Sequence, residues 1–208
     1  MAYDAIVLAG GRGSRLGGAD KAAIVLGASS LLERAIESVA AAQAIVVVGP
    51  NRPAIPEGAL QVREDPPYAG PAAAIDKGLS ALGENRVALP LTVVLATDLP
   101  SAVPAVGALL SVVIVEDRTV DGWAGADPEG RLQPLLAVYR TAALSSACRS
   151  LATERGSLTG ASVRQLLEPL RLLHVPLPTT FTADIDTRAD LTAARARERK
   201  SHGLPART

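Results

Sequence analysis

The chain has 208 residues, and its 21 basic residues balance its 21 acidic residues, so its formal net charge is zero. This length allows one sizeable domain with a buried core, and the neutral charge excludes a bulk field that would recruit nucleic acid or a membrane surface. With one cysteine and two histidines, an internal disulfide is excluded and a zinc site or a serine–histidine–aspartate triad is poorly supplied. We therefore expect chemistry that rests on carboxylates, cations and a bound metal.

The chain starts with a short apolar run that leads into a glycine-rich loop. Residues 5–9 predict a strand, and residues 10–18 contain five glycines. Glycine has no Cβ, so backbone N–H groups in such a loop can approach an anion, and nearby cations can neutralise it. We predict a phosphate-binding loop that contains Gly10, Gly11, Arg12, Gly13, Arg15 and Lys21.

Two common phosphate-binding loops do not fit this stretch. A dinucleotide-binding G-x-G-x-x-G that starts at Gly11 requires glycine at position 16, where the chain has Leu16. A P-loop requires lysine followed by serine or threonine at the positions of Ala19 and Asp20. A flexible surface loop remains the alternative, but the basic residues and the preceding buried strand argue against it.

Strands and helices alternate over the first hundred residues. Apolar runs predict strands at residues 44–48, 59–63 and 92–96, and helices at residues 31–41 and 70–82. The predicted strands are apolar on both faces, which is typical of a parallel sheet covered by helices on both sides. The first half of the chain therefore predicts βαβ units.

The second half predicts at least one antiparallel strand. Its predicted strands are residues 111–116, 132–139 and 170–175, and its predicted helices are residues 141–153, 160–167 and 188–199. The turn-forming residues 127–130 lie between the first two of these strands. We expect a three-layer, Rossmann-like α/β fold with a mostly parallel sheet, formed by one domain at residues 1–199 and followed by a disordered tail at 200–208. No signal peptide or membrane span is apparent, so we expect a cytoplasmic protein.

Acidic residues follow the predicted strand ends, where ligands bind in open α/β sheets. Asp98 comes directly after the strand at 92–96, and Asp65 follows the strand at 59–63. Asp184 and Asp186 precede the last predicted helix. Mg²⁺ prefers carboxylate and phosphate oxygens, so we predict Asp98 and Asp186 as its ligands. The alternative is that Asp98 caps a helix, and that Asp186 or Thr187 caps the last predicted helix.

A series of short motifs runs in order along nearly the whole chain. They are Leu8-Ala9-Gly10-Gly11, Arg15-Leu16-Gly17-Gly18, Asp20-Lys21, Glu64-Asp65, Gly70-Pro71, Thr97-Asp98-Leu99-Pro100, Gln133-Pro134-Leu135, Tyr139-Arg140 and Asp184-Ile185-Asp186-Thr187. Together these motifs resemble the molybdenum cofactor guanylyltransferase family of nucleotidyltransferases.

The resemblance implies a Rossmann-like nucleotidyltransferase that transfers GMP from GTP to the molybdopterin cofactor and releases pyrophosphate. It implies that Arg15 and Lys21 hold the triphosphate, and that Asp98 binds Mg²⁺ beside it. With the loop residues, the nucleotide-binding set becomes Leu8, Ala9, Gly10, Gly11, Arg12, Gly13, Lys21, Gly49, Asp65 and Asp98. Molybdoenzyme maturation proteins are further candidate partners.

The chain departs from the family pattern at two places. Gly49 stands where relatives offer asparagine to the nucleotide, and the segment at 184–187 has aspartates where the family has asparagines, as in related cytidylyltransferases. The pair Gly10-Gly11 favours guanine. A transferase that uses CTP or another phosphate acceptor therefore remains an alternative, as does a nucleotide-binding partner without catalytic activity.

Overall fold

A computed structural model describes residues 1–11, 20–52, 55–84, 86–115 and 117–201 of the chain. A short 3-10 helix, Lys21–Ala23, follows the glycine-rich loop. The strands of the described residues are β1 (Asp4–Leu8), β2 (Val25–Leu26), β3 (Ser29–Ser30), β4 (Ile45–Val48), β5 (Leu60–Val62), β6 (Leu91–Ala96), β7 (Gly122–Ala126), β8 (Leu132–Arg140) and β9 (Leu172–Pro176).

The main sheet has seven strands in the order β5-β4-β1-β6-β8-β7-β9, counted over the described residues, and β2 pairs with β3 in a separate ribbon. Strand β1 pairs in parallel with both β4 and β6. Strand β8 is antiparallel to its two neighbours, while β7 and β9 are parallel to each other. The predicted fold class, a mostly parallel sheet with an antiparallel strand, is therefore confirmed.

Helices cover both faces of the sheet. The described helices are α1 (Leu31–Ser38), α2 (Pro71–Gly83), α3 (Ala102–Ser111), α4 (Thr141–Arg155), α5 (Val163–Leu167), α6 (Thr179–Thr182) and α7 (Arg188–Ser201). Along β1, Ala5 and Val7 pack in one apolar cluster with residues of α1 and α3. Ile6 and Leu8 pack in a second cluster with residues of α2, α4 and α5. Because neighbouring side chains of a strand point to opposite faces, β1 is buried on both sides of a three-layer fold.

Helix α2 packs unusually close to β1. A Cβ added at Gly78 of α2 would lie 2.7 Å from Cγ2 of Ile6, a distance that side chains do not tolerate. Glycine at this position therefore lets the helix backbone approach the strand. The close packing holds α2, which begins at Pro71, against β1.

The strand predicted at residues 111–116 is wrong. Ser111 is the last residue of α3, and the described residues 112–115 belong to no strand. The strand that pairs with β8 is instead β7, whose sequence is Gly-Trp-Ala-Gly-Ala. A Cβ at Gly122 would lie 2.8 Å from Cδ1 of Tyr139, so close packing, and not β propensity, determines the composition of this strand.

The C-terminal helix continues past the predicted domain boundary at residue 199. Helix α7 ends at Ser201, and residues 202–208 of the predicted tail lie outside the described residues. Over the part of the chain that is described, no helix has the length and apolar character that crossing a membrane requires.

Candidate functional site

A cleft of about 510 Å³ lies at the carboxyl ends of β1 and β6. Its walls come from the residues after β1, the segment before α2, the loop after β6 and the segment before α7. The described residues that line it are Leu8, Ala9, Gly10, Gly11, Asp20, Lys21, Ala22, Glu64, Tyr68, Gly70, Pro71, Ala74, Ala96, Thr97, Asp98, Leu135 and Asp186. The cleft thus occupies the place where open α/β sheets bind ligands.

Backbone hydrogen bonds hold the acidic segments against the sheet edge. Thr97 N donates to Leu8 O at 3.3 Å, which joins the loop after β6 to the end of β1. Ile185 N donates to Asp98 O at 2.9 Å, and the Ile185 side chain is fully buried. One buried residue therefore fixes the aspartates on either side of it next to Asp98.

The carboxylates of Asp98, Asp184 and Asp186 form a cluster, which we call the acidic trio. One oxygen of each lies within 4.8 Å of the other two. Three carboxylate oxygens at this separation are a donor set that suits a hard divalent cation. Asp98 and Asp186 were predicted from the sequence as metal ligands, whereas Asp184 was considered but not chosen.

Lys21 lies among these carboxylates. Its Nζ forms an ion pair with Asp186 and lies 3.6 Å from Oδ2 of Asp98. Burial raises the pKa of Asp98, Lys21 opposes this rise, and the charges of Asp184 and Asp186 add to it. Burial also raises the pKa of Asp184, and the negative charge of Asp186 raises it further. Positive charge is therefore favourable here beyond what the lysine supplies.

The helix-cap alternative is wrong for both predicted metal ligands, Asp98 and Asp186, and is confirmed for Thr187. Helix α3 has Ser101, not Asp98, at its N-cap position. Before α7, the Thr187 hydroxyl accepts a hydrogen bond from Asp190 N at 3.2 Å, and Asp190 Oδ2 accepts one from Thr187 N at 2.7 Å. Thr187 therefore caps α7 in a reciprocal pair, and the Asp186 side chain lines the cleft.

Arg52 joins the two ends of the glycine-rich loop, although sequence reasoning missed it. Its Nη2 donates to Ala9 O at 3.0 Å and to Asp20 Oδ1 at 2.8 Å. The hydrogen bond from Arg52 is the main reason that the pKa of Asp20 is lowered. Asp20 Oδ1 also accepts from Ala22 N at 3.2 Å and so caps the 3-10 helix that starts with Lys21. The available signal was a cation just beyond the end of β4, beside β1.

Glu64 lines the cleft, whereas its neighbour Asp65 is exposed and does not. Glu64 is only 7% exposed, and its Oε1 accepts a hydrogen bond from Tyr68 N at 3.0 Å. Tyr68 has a φ of 65°, a left-handed conformation that non-glycine residues rarely adopt. The segment before α2 is therefore folded around the carboxylate of Glu64, and not around that of Asp65.

The remaining predicted residues fall into three groups. Gly49 packs against the backbone of Ala9, which follows β1, since a Cβ at position 49 would lie 2.8 Å from the carbonyl carbon of Ala9. Arg12, Gly13 and Arg15 lie outside the described residues. The residues that the structure brings together in one cleft are Leu8, Ala9, Gly10, Gly11, Lys21, Asp98 and Asp186.

A glycine-rich loop, a lysine and three carboxylates thus meet at the edge of one sheet, and the protein is a nucleotidyltransferase. The chain belongs to the MobA-like NTP transferase family, since its residues 5–173 match the MobA-like NTP transferase domain. It is 33% identical over 153 residues to a protein of Chloroflexus aggregans named probable molybdenum cofactor guanylyltransferase. That alignment covers 70% of this chain and 69% of the relative.

Solved structures share the fold. Molybdopterin-guanine dinucleotide biosynthesis protein A from Archaeoglobus fulgidus has a TM-score of 0.70 and 22% identity, with 95% of this chain and 100% of that chain covered. The 2-C-methyl-D-erythritol 4-phosphate cytidylyltransferase from Thermus thermophilus has a TM-score of 0.67 and 21% identity, with 96% and 100% covered. At these identities the likeness shows the fold alone, and it includes enzymes named for different nucleotides.

Proposed function

We propose that this protein transfers GMP from GTP to the terminal phosphate of the molybdopterin cofactor and releases pyrophosphate. The observation that carries the proposal is that Lys21, Asp98 and Asp186 line one cleft with Gly10 and Gly11, and that Asp184 completes the acidic trio beside them. The name of the Chloroflexus relative supports the choice of GTP and molybdopterin. We also propose that residues 1–199 act as a single catalytic domain.

In the proposed reaction, an oxygen of the molybdopterin phosphate attacks the α-phosphorus of GTP. The bond between this phosphorus and the oxygen that bridges to the β-phosphate breaks, and pyrophosphate leaves. The attacking phosphate is already an anion, so no general base has to remove a proton. The protein's tasks are therefore to align the two phosphates and to neutralise the charge that develops on them.

We assign these tasks to groups in the cleft. The N–H group of Gly11 contacts the phosphates, and Lys21 neutralises the charge on the triphosphate. We propose the same neutralising role for Arg12 and Arg15, with Gly13 as part of the loop backbone that contacts the phosphates. Residues 8–10 lie against the nucleotide, and Arg52 keeps the ends of the loop together.

The acidic trio fits the Mg²⁺ ion that this class of reaction needs. Asp98 and Asp186 are the proposed ligands, and the position of Asp184 makes it a third candidate. When bound, Mg²⁺ supplies positive charge to phosphate oxygens. Asp98 and Asp186, with Asp184 as the third candidate, would hold the cation at the end of β6, and Lys21 links this site to the glycine-rich loop through its contacts with Asp98 and Asp186.

A cytidylyltransferase is the second candidate function. The Asp-Ile-Asp-Thr sequence at residues 184–187 and the similarity to the fold of the Thermus cytidylyltransferase favour it. A nucleotide-binding partner without catalytic activity is less consistent with the site, because binding alone does not require three carboxylates beside a lysine.

Pyrophosphate release distinguishes these candidates. The full-length protein is incubated with Mg²⁺, molybdopterin and, in turn, GTP, CTP, ATP or UTP. We expect release with GTP that depends on molybdopterin, and much less with the other three nucleotides. The matched control is the Glu57→Gln variant, which lacks an exposed carboxylate outside the cleft. Release with CTP and none with GTP would contradict the proposal.

A further inference from the structure

Glu64 presents an unsatisfied carboxylate oxygen at the cleft. Oε1 of Glu64 accepts a hydrogen bond from Tyr68 N, whereas Oε2 is buried and has no hydrogen-bond partner among the residues that the structure describes. Burying a carboxylate oxygen without a partner costs free energy, so native proteins rarely retain one without a reason. Because Glu64 lines the cleft, a ligand with N–H donors can satisfy this oxygen.

The strand order places Glu64 away from the acidic trio. Glu64 follows β5 and Asp98 follows β6, and in the order β5-β4-β1-β6 these strands lie on opposite sides of β1. The cleft lining includes Tyr68, whose N–H is bonded to Glu64, and also Leu8 and Ala74, which belong to one apolar cluster. Apolar and aromatic walls with one polar group are typical of a site for a flat ring. The charged end of the cleft suits phosphates, and the Glu64 end suits the base.

The backbone of Gly10 and of Tyr68 lies beside this carboxylate. A Cβ added at Gly10 would lie 3.9 Å from Glu64 Oε1, so a longer side chain at position 10 would reach the carboxylate. The left-handed conformation of Tyr68 accompanies the hydrogen bond from its N–H to Oε1. Strained backbone of this kind is concentrated at functional sites. The unpartnered oxygen of Glu64 and the left-handed backbone of Tyr68 together indicate that the Glu64 carboxylate binds a ligand.

A carboxylate accepts hydrogen bonds and donates none, and this selects among nucleobases. Guanine has two adjacent donors, N1–H and the 2-amino group. Adenine and cytosine each place a ring nitrogen acceptor beside their amino group, and that acceptor would face the carboxylate unfavourably. Uracil has one N–H between two carbonyl oxygens. A pair of donors on one ring edge therefore matches a carboxylate best.

We propose that Glu64 determines base specificity by accepting hydrogen bonds from N1–H and the 2-amino group of guanine. This inference rests on the proposed use of GTP and adds the residue that reads the base. It also replaces Asp65 as the residue of this segment that contacts the nucleotide, because the Asp65 side chain is outside the cleft lining.

Binding of base analogues, without any acceptor, tests this role. Calorimetry measures the affinities of the full-length protein, with Mg²⁺ present, for GTP, inosine triphosphate, xanthosine triphosphate and CTP. Inosine lacks the 2-amino group, and xanthine has an oxygen in its place. The variants are Glu64→Gln, Glu64→Asp and Asp65→Asn, and the matched control is Glu57→Gln, which removes an exposed carboxylate upstream of the same strand.

We expect the affinity of the wild-type protein for GTP to be at least about 10-fold higher than its affinity for inosine triphosphate. Glu64→Gln weakens GTP binding by about 10- to 100-fold, brings the ratio of these two affinities close to one, and improves xanthosine triphosphate relative to GTP, since an amide N–H can donate to the 2-oxygen. Glu64→Asp retains an acceptor, so it weakens GTP binding less and does not favour xanthosine triphosphate. Glu57→Gln matches the wild type.

Two results would overturn the role of Glu64 without contradicting the proposed use of GTP. One is an unchanged ratio of GTP to inosine triphosphate affinity in both Glu64 variants. The other is a loss of that ratio in Asp65→Asn while Glu64→Gln retains it. A wild-type protein that binds CTP more tightly than GTP overturns both this inference and the proposed use of GTP. Failure of molybdopterin as the acceptor leaves the result unaffected, because the measurement contains no acceptor.

Discussion

The two ends of the cleft contain different arrangements of charged groups. At the end of β6, Lys21 lies among three aspartates whose oxygens are within 4.8 Å of one another. Near the end of β5, Glu64 lines the cleft beside Tyr68, and one of its carboxylate oxygens has no hydrogen-bond partner among the described residues. The first arrangement suits charge neutralisation during phosphoryl transfer, and the second suits the choice of a base. Substitutions at the two ends should therefore change different quantities.

The largest effect is expected from Asp98→Ala. This residue belongs to the acidic trio and follows β6 directly, so its loss should lower kcat by at least about 100- to 1,000-fold. Steady-state kinetics over a range of Mg²⁺ concentrations measures this loss. The fold should remain intact, because removing one of three like charges relieves repulsion, and thermal unfolding checks this. Full activity in a folded Asp98→Ala protein would be inconsistent with the metal assignment.

Lys21→Ala should weaken GTP binding by about 1–3 kcal/mol, the range for a charge-assisted hydrogen bond. The lysine contacts Asp98 and Asp186, so its removal also increases repulsion within the acidic trio. Calorimetry with GTP measures the effect. Lys77→Ala is the matched control, because Lys77 is an exposed lysine on α2. Equal GTP affinities for the two variants would exclude the proposed role of Lys21.

Arg52→Ala should have a smaller effect, an increase of about 3- to 30-fold in KM for the nucleotide, the range for one or two hydrogen bonds. The side chain binds Ala9 O and Asp20, so its loss frees the two ends of the glycine-rich loop without removing a phosphate ligand. The double variant with Asp20→Asn should be little worse than Arg52→Ala, since the two residues act as one unit. Arg149→Ala, at an exposed position on α4, is the control. Additive effects in the double variant would show that the residues act separately.

The charged end of the cleft could largely be predicted from the sequence. Asp98 directly follows an apolar run of strand length, and the carboxyl ends of parallel strands meet at one edge of a sheet. Lys21 follows a glycine-rich loop that itself follows a strand. Asp98 was predictable because it lies two residues after a strand, and Lys21 was predictable because it follows the glycine-rich loop after another strand. The hydrophobic pattern indicates the positions of both strands.

The base end could not be predicted in the same way. Glu64 and Asp65 are adjacent carboxylates in a segment without periodicity, so no pattern shows which side chain faces the cleft. The hydrogen bond from Tyr68 N to Glu64 depends on the left-handed backbone of Tyr68, which the sequence does not indicate. Asp184 joins the acidic trio through the hydrogen bond from Ile185 to Asp98, a contact between distant parts of the chain.

The mistaken strand at residues 111–116 has a related cause. Its run of β-branched residues has high β propensity, whereas the strand that forms, β7, contains no β-branched residue. Gly122 and Gly125 are needed where Tyr139 and Leu177 approach the strand backbone. Packing of the complete fold, which local propensity does not include, therefore decides which segment pairs with β8.

The most direct test of the account follows the phosphates of GTP. The full-length protein is supplied with molybdopterin, Mg²⁺ and GTP that carries a radioactive label on either the α- or the γ-phosphate. Transfer of GMP predicts that the α-label appears in the molybdopterin product and that the γ-label appears in pyrophosphate. Label from the γ-phosphate in the molybdopterin product, or no label from the α-phosphate, would contradict the account.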